Sequence, residues 1–192
     1  MPKVSSEDVT RPVLLTSLPL DGWELSEPKT VKALKILNLT HAGVTPITRL
    51  ADGIKLTVPF APTTFGGGTA DRKGCLVSIN EELADYLSQI EVLAKAHLAE
   101  TTPNIDNIWT SAVRQDAHFP PSLRCKINTG GLHMTSFYKE DGELAPEPED
   151  WRQLPVNVCI VLRGVYLQKT CAGLLIDVTH LQYAPRKRFS PF

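Results

Sequence analysis

The sequence predicts a mainly β protein, a β-barrel of OB-fold-like order with one central amphipathic α-helix. Short strand signals run along most of the chain, and one helical periodicity separates the early strands from the late ones. The length of 192 residues, of which 42% are apolar, is enough for one domain with a core of its own. One predicted helix is too few for a doubly wound α/β fold. A two-sheet sandwich is the alternative, but its strands are normally more evenly spaced and lack a central four-turn helix.

The central helix is predicted from one apolar stripe at three- and four-residue spacing. Its members are Leu83, Tyr86, Leu87, Ile90, Leu93, Ala94, His97 and Leu98. Ser78 or Asn80 can cap its start, and Pro103 stops it. Since its outer face is acidic, we expect the helix to plug one side of the sheet and not to contact nucleic acid.

The strand predictions fall on both sides of this helix. The early strands are 31–40, a hairpin of 47–50 with 54–58 around Asp52-Gly53, and 75–79. The late strands are a hairpin of 123–129 with 132–139 around Gly130-Gly131, and the closing pair 156–167 and 173–184. In the strand 123–129, Leu123, Cys125 and Ile127 alternate with Arg124 and Lys126. This alternation predicts an apolar face turned inward and a basic face turned outward.

The chain is expected to contain one domain with two appendages. Residues 1–30 are predicted as a flexible N-terminal arm, residues 31–184 as the single OB-fold-like domain, and residues 185–192 as a basic-aromatic C-terminal tail. The acidic, proline-bearing stretch from Glu140 to Asp150 is predicted to be a mobile loop within that domain.

The net charge of −1 hides a strong asymmetry along the chain. Acidic residues predominate between Ser78 and Asp106, and Glu140 to Asp150 contains acids and no base. From Trp151 onward the bases predominate and Asp177 is the single acid. A near-neutral total is therefore compatible with a basic surface that binds an anionic partner.

The sequence offers no group of residues that predicts catalysis or a cofactor. Gly66-Gly67-Gly68 lacks the Lys-Ser/Thr ending of a phosphate loop and precedes a strand, so it is expected to be a flexible loop tipped by Arg72 and Lys73 that can lie along a sugar-phosphate backbone. The four separated cysteines are expected to be unreactive thiols, and a zinc site joining Cys125 and His133 is left open at this stage. We expect no enzyme activity and no cofactor.

No apolar run is long enough for a membrane helix, and the polar, acidic N-terminus does not resemble a secretory signal. An intracellular protein with no membrane partner is expected, in the cytoplasm or nucleus of a host cell if it is viral.

The feature that points to a function is the interleaving of basic and aromatic residues on the predicted strands. Single-stranded nucleic acid needs cations along its phosphates and flat side chains for its bases. The candidate binding residues are Lys32, Lys35, Lys55, Arg72, Lys73, Arg124, Lys126, Phe137, Tyr138, Lys139, Arg163, Tyr166, Lys169, Arg186, Lys187 and Arg188.

The order of elements resembles the single-stranded DNA-binding proteins of tailed phages and other large DNA viruses, which have an OB-fold elaborated by a helix and long loops. The similar stretches are Leu83 to Leu98, Trp109 to Pro121, Leu123 to Lys139, and Val156 to Tyr183. The resemblance implies binding of single-stranded DNA, in preference to RNA, without strong sequence preference. It also implies coating and protection of the strand during replication and recombination, and contact with replication proteins. The basic tail departs from the acidic tail that is common in this family, so inhibition by an acidic tail is not carried over.

A viral structural or assembly protein is the alternative function. Such a protein would use its β-rich fold, its arm and its basic tail to neutralise packaged nucleic acid. The sequence leaves open whether the chain forms a homo-oligomer.

Overall fold

The computed structural model describes residues 12–31, 33–50, 54–57, 72–131, 133–148 and 155–183. The helices are α1 (Glu81–Ala99) and α2 (Ile105–Ile108), preceded by two 3₁₀ turns at Leu15–Ser17 and Leu20–Gly22. The strands are β1 (Trp23–Leu25), β2 (Lys29–Val31), β3 (Leu34–His41), β4 (Ile47–Arg49), β5 (Ile54–Thr57), β6 (Arg72–Ser78), β7 (Val113–Asp116), β8 (Phe119–Asn128), β9 (Ser136–Tyr138), β10 (Leu144–Ala145), β11 (Pro155–Leu167) and β12 (Ala172–Tyr183).

The sheet closes on itself through its two longest strands. Hydrogen bonding follows the path β11-β5-β6-β8-β12, and β11 then pairs with β12, which completes a ring. The β11–β12 ladder is antiparallel and extends from the pair Val156–Tyr183 to the pair Leu167–Ala172. The β8–β12 pair is parallel, whereas the other pairs of the ring are antiparallel. The predicted mainly β, OB-fold-like class with one main helix is confirmed.

Strand β11 is so long that three successive strands share one of its edges. β3 pairs with its C-terminal end, β4 with its middle and β5 with its beginning. The predicted hairpin between 47–50 and 54–58 is therefore wrong, because both segments pair with β11 instead of each other. Asp52-Gly53 lies outside the described residues. Register shifts in β11 at Cys159/Ile160 and Leu162/Gly164 bend the strand around the barrel.

The segment after β8 also pairs with a strand that is distant in the sequence. β9 pairs in parallel with β12 and does not return along β8, so the predicted hairpin of 123–129 with 132–139 is also wrong. Thr135 makes the connection: its amide donates to the carbonyl oxygen of Asn128 at 2.7 Å, and its hydroxyl donates to the carbonyl oxygen of Val178 at 2.7 Å. Both β8 and β9 thus lie along the same edge of β12.

Helix α1 packs its apolar stripe into the core, as predicted. Asn80 is the N-cap, and its side-chain oxygen accepts the amide of Leu83 at 3.0 Å. Leu87 and Ile90 are fully buried, but Leu93, which was assigned to the stripe, is 43% exposed. Among the described residues, no helix combines the length and hydropathy that a membrane span needs.

Residues 12–31 belong to the domain. Leu15 is 1% exposed in the core, and β1 pairs with β3. The Tyr86 hydroxyl donates to the carbonyl oxygen of Leu18 at 2.8 Å and accepts the indole N–H of Trp23 at 2.8 Å, which ties this segment to α1. The flexible arm predicted for residues 1–30 is therefore packed from residue 12 onward, and residues 1–11 lie outside the described part of the chain.

We expect Gly164→Ala to destabilise the barrel severely. A Cβ at residue 164 would lie 1.9 Å from the carbonyl oxygen of Leu37, a backbone atom of the neighbouring strand. The free energy of unfolding, measured in urea, should fall by at least about 3 kcal/mol. Gly142→Ala is the matched control, because residue 142 has a φ of +85° but no heavy atom within 4 Å of the added Cβ. Its cost should stay at about 1–2 kcal/mol, and equal losses in the two variants would contradict this packing.

Candidate nucleic-acid interface

The alternation in β8 divides the barrel sheet into a core face and an outer face. Leu123 and Ile127 are fully buried in the core, as predicted, whereas Arg124 and Lys126 lie on the opposite side of the strand and are half-buried. Lys126 is in register with Gly74 of β6 and with Asp177 of β12. We call the surface of β6, β8, β11 and β12 that carries these side chains the outer face.

A cleft of about 250 Å³ lies in the outer face. Tyr166, Leu175 and the side chains of three cations contribute to its walls; the cations are Arg114, Arg124 and Lys126. We call it the Tyr166 cleft. An apolar floor with cations at its border suits a ligand that has flat apolar surfaces and negative charges.

The segment Thr110–Ala112 forms one wall of this cleft and is fixed from two sides. The Thr110 amide donates to the carbonyl oxygen of Ala172 at 2.8 Å. The Ala112 amide donates to the carboxylate of Glu91, a buried residue of α1, at 2.6 Å. Gly173, the cross-strand partner of Tyr166, permits this approach, because a Cβ there would lie 2.6 Å from the Thr110 carbonyl oxygen.

Tyr166 is held in place and keeps its proton. Burial is the main cause that raises the pKa of its phenol, while a hydrogen bond with Thr110 acts in the opposite direction. The ring is only partly buried and lines the cleft. It therefore presents a neutral, oriented aromatic surface at neutral pH.

Next to the cleft, one buried carboxylate binds two arginines. Asp177 accepts a hydrogen bond from Nη2 of Arg72 at 3.1 Å and one from Nε of Arg163 at 2.5 Å. The Asp177 side chain is 4% exposed, and the two arginine side chains are 33% and 25% exposed. The prediction had placed Arg72 and Lys73 at the tip of a loop; the structure places both in β6 instead.

Lys126 lies beside this ion cluster. Burial is the main cause that lowers the pKa of its amine, and the charge of Arg72 lowers it further, against an opposing effect of Asp177. The amine is thus a cation in a crowded, partly desolvated position, where an added anion would be favourable.

A second cleft, of about 320 Å³, lies further along the outer face of β12. Tyr138 and His180 stack there with ring centroids 6.0 Å apart and planes at 22°. Burial lowers the pKa of His180, which favours the neutral ring at pH 7. Arg49, Asn157 and Gln182 also line this site, which we call the His180 cleft. The seven residue steps from Gly173 to His180 span about 23 Å at the rise of a β-strand.

The remaining predicted residues are spread over several places. Lys73 pairs with Glu147, and exposed Lys139 pairs with Glu143 at 3.2 Å. Lys35 and Lys169 are exposed near the end of β11 that carries Tyr166. Lys55 is in β5. Lys32, Arg186, Lys187 and Arg188 lie outside the described residues.

Phe137 was predicted to contact nucleic acid, but its side chain is buried in the core. It is 7% exposed and belongs to the core cluster, because β9 turns this side chain inward along β12 while Tyr138 faces the other way. Its ring is not available to a base, and we leave Phe137 out of the proposed interface.

The acidic segment is tied to the barrel at two points. Glu147 bonds to Lys73, and the Tyr183 hydroxyl donates to the carbonyl oxygen of Pro146 at 2.7 Å. The part of the segment up to residue 148 therefore packs against the sheet, where it was predicted to be a mobile loop.

The cysteines do not form a metal site in the described part of the chain. Cys75 and Cys125 are buried cross-strand neighbours, and burial, followed by their mutual hydrogen bond, raises the pKa of Cys125. His133 is exposed, and among the described residues no group of three His, Cys, Asp or Glu side chains could hold a metal ion.

The sequence did not predict two residues of the candidate interface. Arg114 lies in β7, which pairs with β8 and brings its side chain to the Tyr166 cleft. The alternation of Val113 with Arg114 was the available signal. The second missed residue is Asp177. The available signal was its place in the apolar run 174–178, because an acid that is buried in such a run must be paired.

Two comparisons with known sequences give no match: no protein-family model fits the chain, and no curated protein is significantly similar to it. The comparison with solved structures does find relatives. The fold is similar to gp2.5, a single-stranded DNA-binding protein encoded by bacteriophage T7, with a TM-score of 0.55, 11% identity, and coverage of 77% of this chain and 90% of that chain.

A single-stranded DNA-binding protein from bacteriophage Enc34 matches in two structures. The complex with single-stranded DNA has a TM-score of 0.46 at 12% identity, and the C-terminal truncation has 0.47 at 11% identity; each covers 86% of this chain and 97% of that chain. Because both Enc34 scores lie below 0.5, only the match to gp2.5 carries the comparison, and at 11% identity it concerns the fold alone. The resemblance predicted from the order of elements is thereby confirmed: this chain has the fold of a phage single-stranded DNA-binding protein.

Proposed function

We propose that the protein binds single-stranded DNA along its outer face. The observation that carries the proposal is the convergence of Arg72, Arg124, Lys126 and Arg163 with Tyr166 beside one apolar cleft. The bacteriophage T7 protein whose fold this chain shares is a single-stranded DNA-binding protein, which supports the same function.

The chemistry of the two clefts suits an unpaired strand. Exposed bases can stack on Tyr166 in one cleft and on the Tyr138–His180 pair in the other, while the arginines between them contact phosphates. Stacking contributes about 1–3 kcal/mol per base and tolerates any base. A duplex hides its base faces, so only a single strand can use both kinds of contact.

The proposed biological role is based on this mode of binding. Contacts to phosphates and to base faces carry little sequence information, so binding should show no strong sequence preference. We propose that the protein coats and protects single strands during viral replication or recombination and performs no catalysis. DNA is the proposed ligand in preference to RNA, and replication proteins are proposed partners.

A fluorescence titration tests this function. Oligodeoxythymidylate should quench the tryptophan and tyrosine emission, release it at high salt, and bind much more tightly than a duplex of equal length. Charge reversal in the pair Arg124→Glu and Lys126→Glu should reduce the salt slope, the dependence of log K on log salt, by about two units.

The pair Lys29→Glu and Lys95→Glu is the matched control, because it makes the same charge change on exposed strand β2 and on α1. An equal loss of slope in both pairs would show that net charge, and not the outer face, governs binding. Equal affinity for single and double strands would favour a structural or assembly protein.

The stacking role of Tyr166 has its own test. Tyr166→Ala should weaken binding of oligodeoxythymidylate by about 1–3 kcal/mol. Tyr166→Phe keeps the ring and loses the hydrogen bond with Thr110, so its affinity should stay near that of the native protein. If both variants lose the same affinity, the hydroxyl and the wall of the cleft matter and stacking does not.

Binding should also take up protons at alkaline pH. The pKa of Lys126 lies below its ordinary value of 10.5 in the free protein. A phosphate nearby favours the charged amine and raises this pKa, so affinity should fall as the pH rises through the lowered pKa. Affinity for oligodeoxyadenylate, whose bases do not titrate in this range, can be measured against pH. Lys126→Arg stays charged and should remove the dependence; a dependence that persists in this variant would assign the proton to another group.

A further inference from the structure

Asp177 is the only acid in the basic C-terminal part of the sequence, and the fold buries it beneath the proposed interface. Its two carboxylate oxygens are both occupied: Oδ1 accepts from Arg72 and Oδ2 accepts from Arg163. Lys126 stands in register beside it on β8. We call these four residues the Asp177 cluster.

The Asp177 cluster carries more positive than negative charge. Arg72 and Arg163 bond to the carboxylate of Asp177, and Lys126 is its neighbour on β8, so three cations accompany one acid. A partly buried cluster with unbalanced charge is costly unless an anion completes it. The excess therefore indicates that the cluster is built to receive an anion.

One donor of the cluster is also unsatisfied. The Nε of Arg72 is buried and has no hydrogen-bond partner among the described residues. Because this atom is buried, a phosphate from outside would contact the other donors of the partly exposed guanidinium. A guanidinium has five N–H donors, and each arginine gives Asp177 a single contact, which leaves donors for a second acceptor.

We propose that Asp177 is a positioning residue, which holds Arg72 and Arg163 side by side as a clamp for one phosphate of the bound strand. The inference rests on the proposed function and adds the place where the backbone is fixed. The orientation of two guanidiniums by one buried carboxylate gives the clamp its geometry before DNA arrives, and Lys126 adds charge at its border.

The opposite role would be a competitor, an internal acid that occupies the arginines until a phosphate displaces it. Such an acid must be able to leave. Asp177 is 4% exposed and contacts both arginines, so a phosphate could displace it only by breaking two ion pairs at once.

The substitution Asp177→Asn separates these roles by the sign of its effect. Removal of a negative charge from a surface that binds DNA should strengthen binding if only net charge or competition matters. Loss of positioning should weaken binding of oligodeoxythymidylate about tenfold, the equivalent of one charge-assisted hydrogen bond. Unchanged or tighter binding would overturn the proposal.

A double-mutant cycle with Arg163→Gln tests whether Asp177 acts through the arginine. Asp177→Asn should weaken binding in the native background and have much less effect when residue 163 is already glutamine. An equal effect in both backgrounds would assign Asp177 a structural role only and overturn the proposal. Circular dichroism of each variant, compared at a temperature below its melting transition, restricts the comparison to folded protein.

A measurement on the native protein covers the case in which Asp177→Asn does not fold. The Nε–Hε resonances of the arginines can be followed by nuclear magnetic resonance during titration with oligodeoxythymidylate and, separately, with inorganic phosphate. We expect the resonance of Arg72 to shift with the oligonucleotide, while the indole N–H resonance of Trp23, which donates to Tyr86 of α1, serves as a reference that should not shift. A shift with inorganic phosphate alone would identify a free-phosphate site and overturn the assignment to the strand.

The failure of this inference can be told apart from the failure of the proposed function. If the native protein does not bind oligodeoxythymidylate at all, the function is wrong. If it binds but neither Asp177→Asn nor the Arg72 resonance responds, the function stands and the clamp is wrong.

Discussion

The antiparallel ladder between β11 and β12 is the interaction on which the rest of the structure depends. It closes the barrel, and its two strands offer their other edges to β3, β4 and β5 on one side and to β8 and β9 on the other. Because side chains alternate along both strands, the same ladder buries Val158 and Val178 and directs Asp177 to the outer face. The core and the proposed interface therefore lie on opposite faces of the same strand pair.

The proposed interface combines a rigid apolar support with charges that are only partly hydrated. Glu91 of α1 fixes the wall of the Tyr166 cleft through the Ala112 amide, so the helix supports the cleft without lining it. Asp177 balances part of the positive charge that gathers on the sheet and orients it. Single-stranded DNA would contact side chains that the folded protein already holds in position, which reduces the entropy lost on binding.

Local patterns in the sequence were sufficient where a structure depends on neighbours in the chain. The three- and four-residue spacing predicted α1, and strict alternation predicted which side of β8 faces the core. Pairing partners could not be predicted in this way, because β4 and β5 pair with a strand about a hundred residues away in the sequence. Phe137 and Tyr138 are adjacent aromatic residues, and the placement of β9 along β12 decides which one is buried. Arg72 and Arg163 were predicted as binding residues from their charge. Their common partner Asp177 could not be predicted, because only the folded sheet brings β6, β11 and β12 together.

Photochemical cross-linking tests the central claim, that unpaired DNA lies across the outer face, most directly. Oligodeoxythymidylate carrying photoreactive bases would be irradiated with the native protein, and the modified peptides identified by mass spectrometry. The account predicts cross-links at Tyr166 and in the region of Tyr138 and His180, about 23 Å apart along β12. Cross-links confined to α1 or to the Trp23 side of the barrel would contradict it.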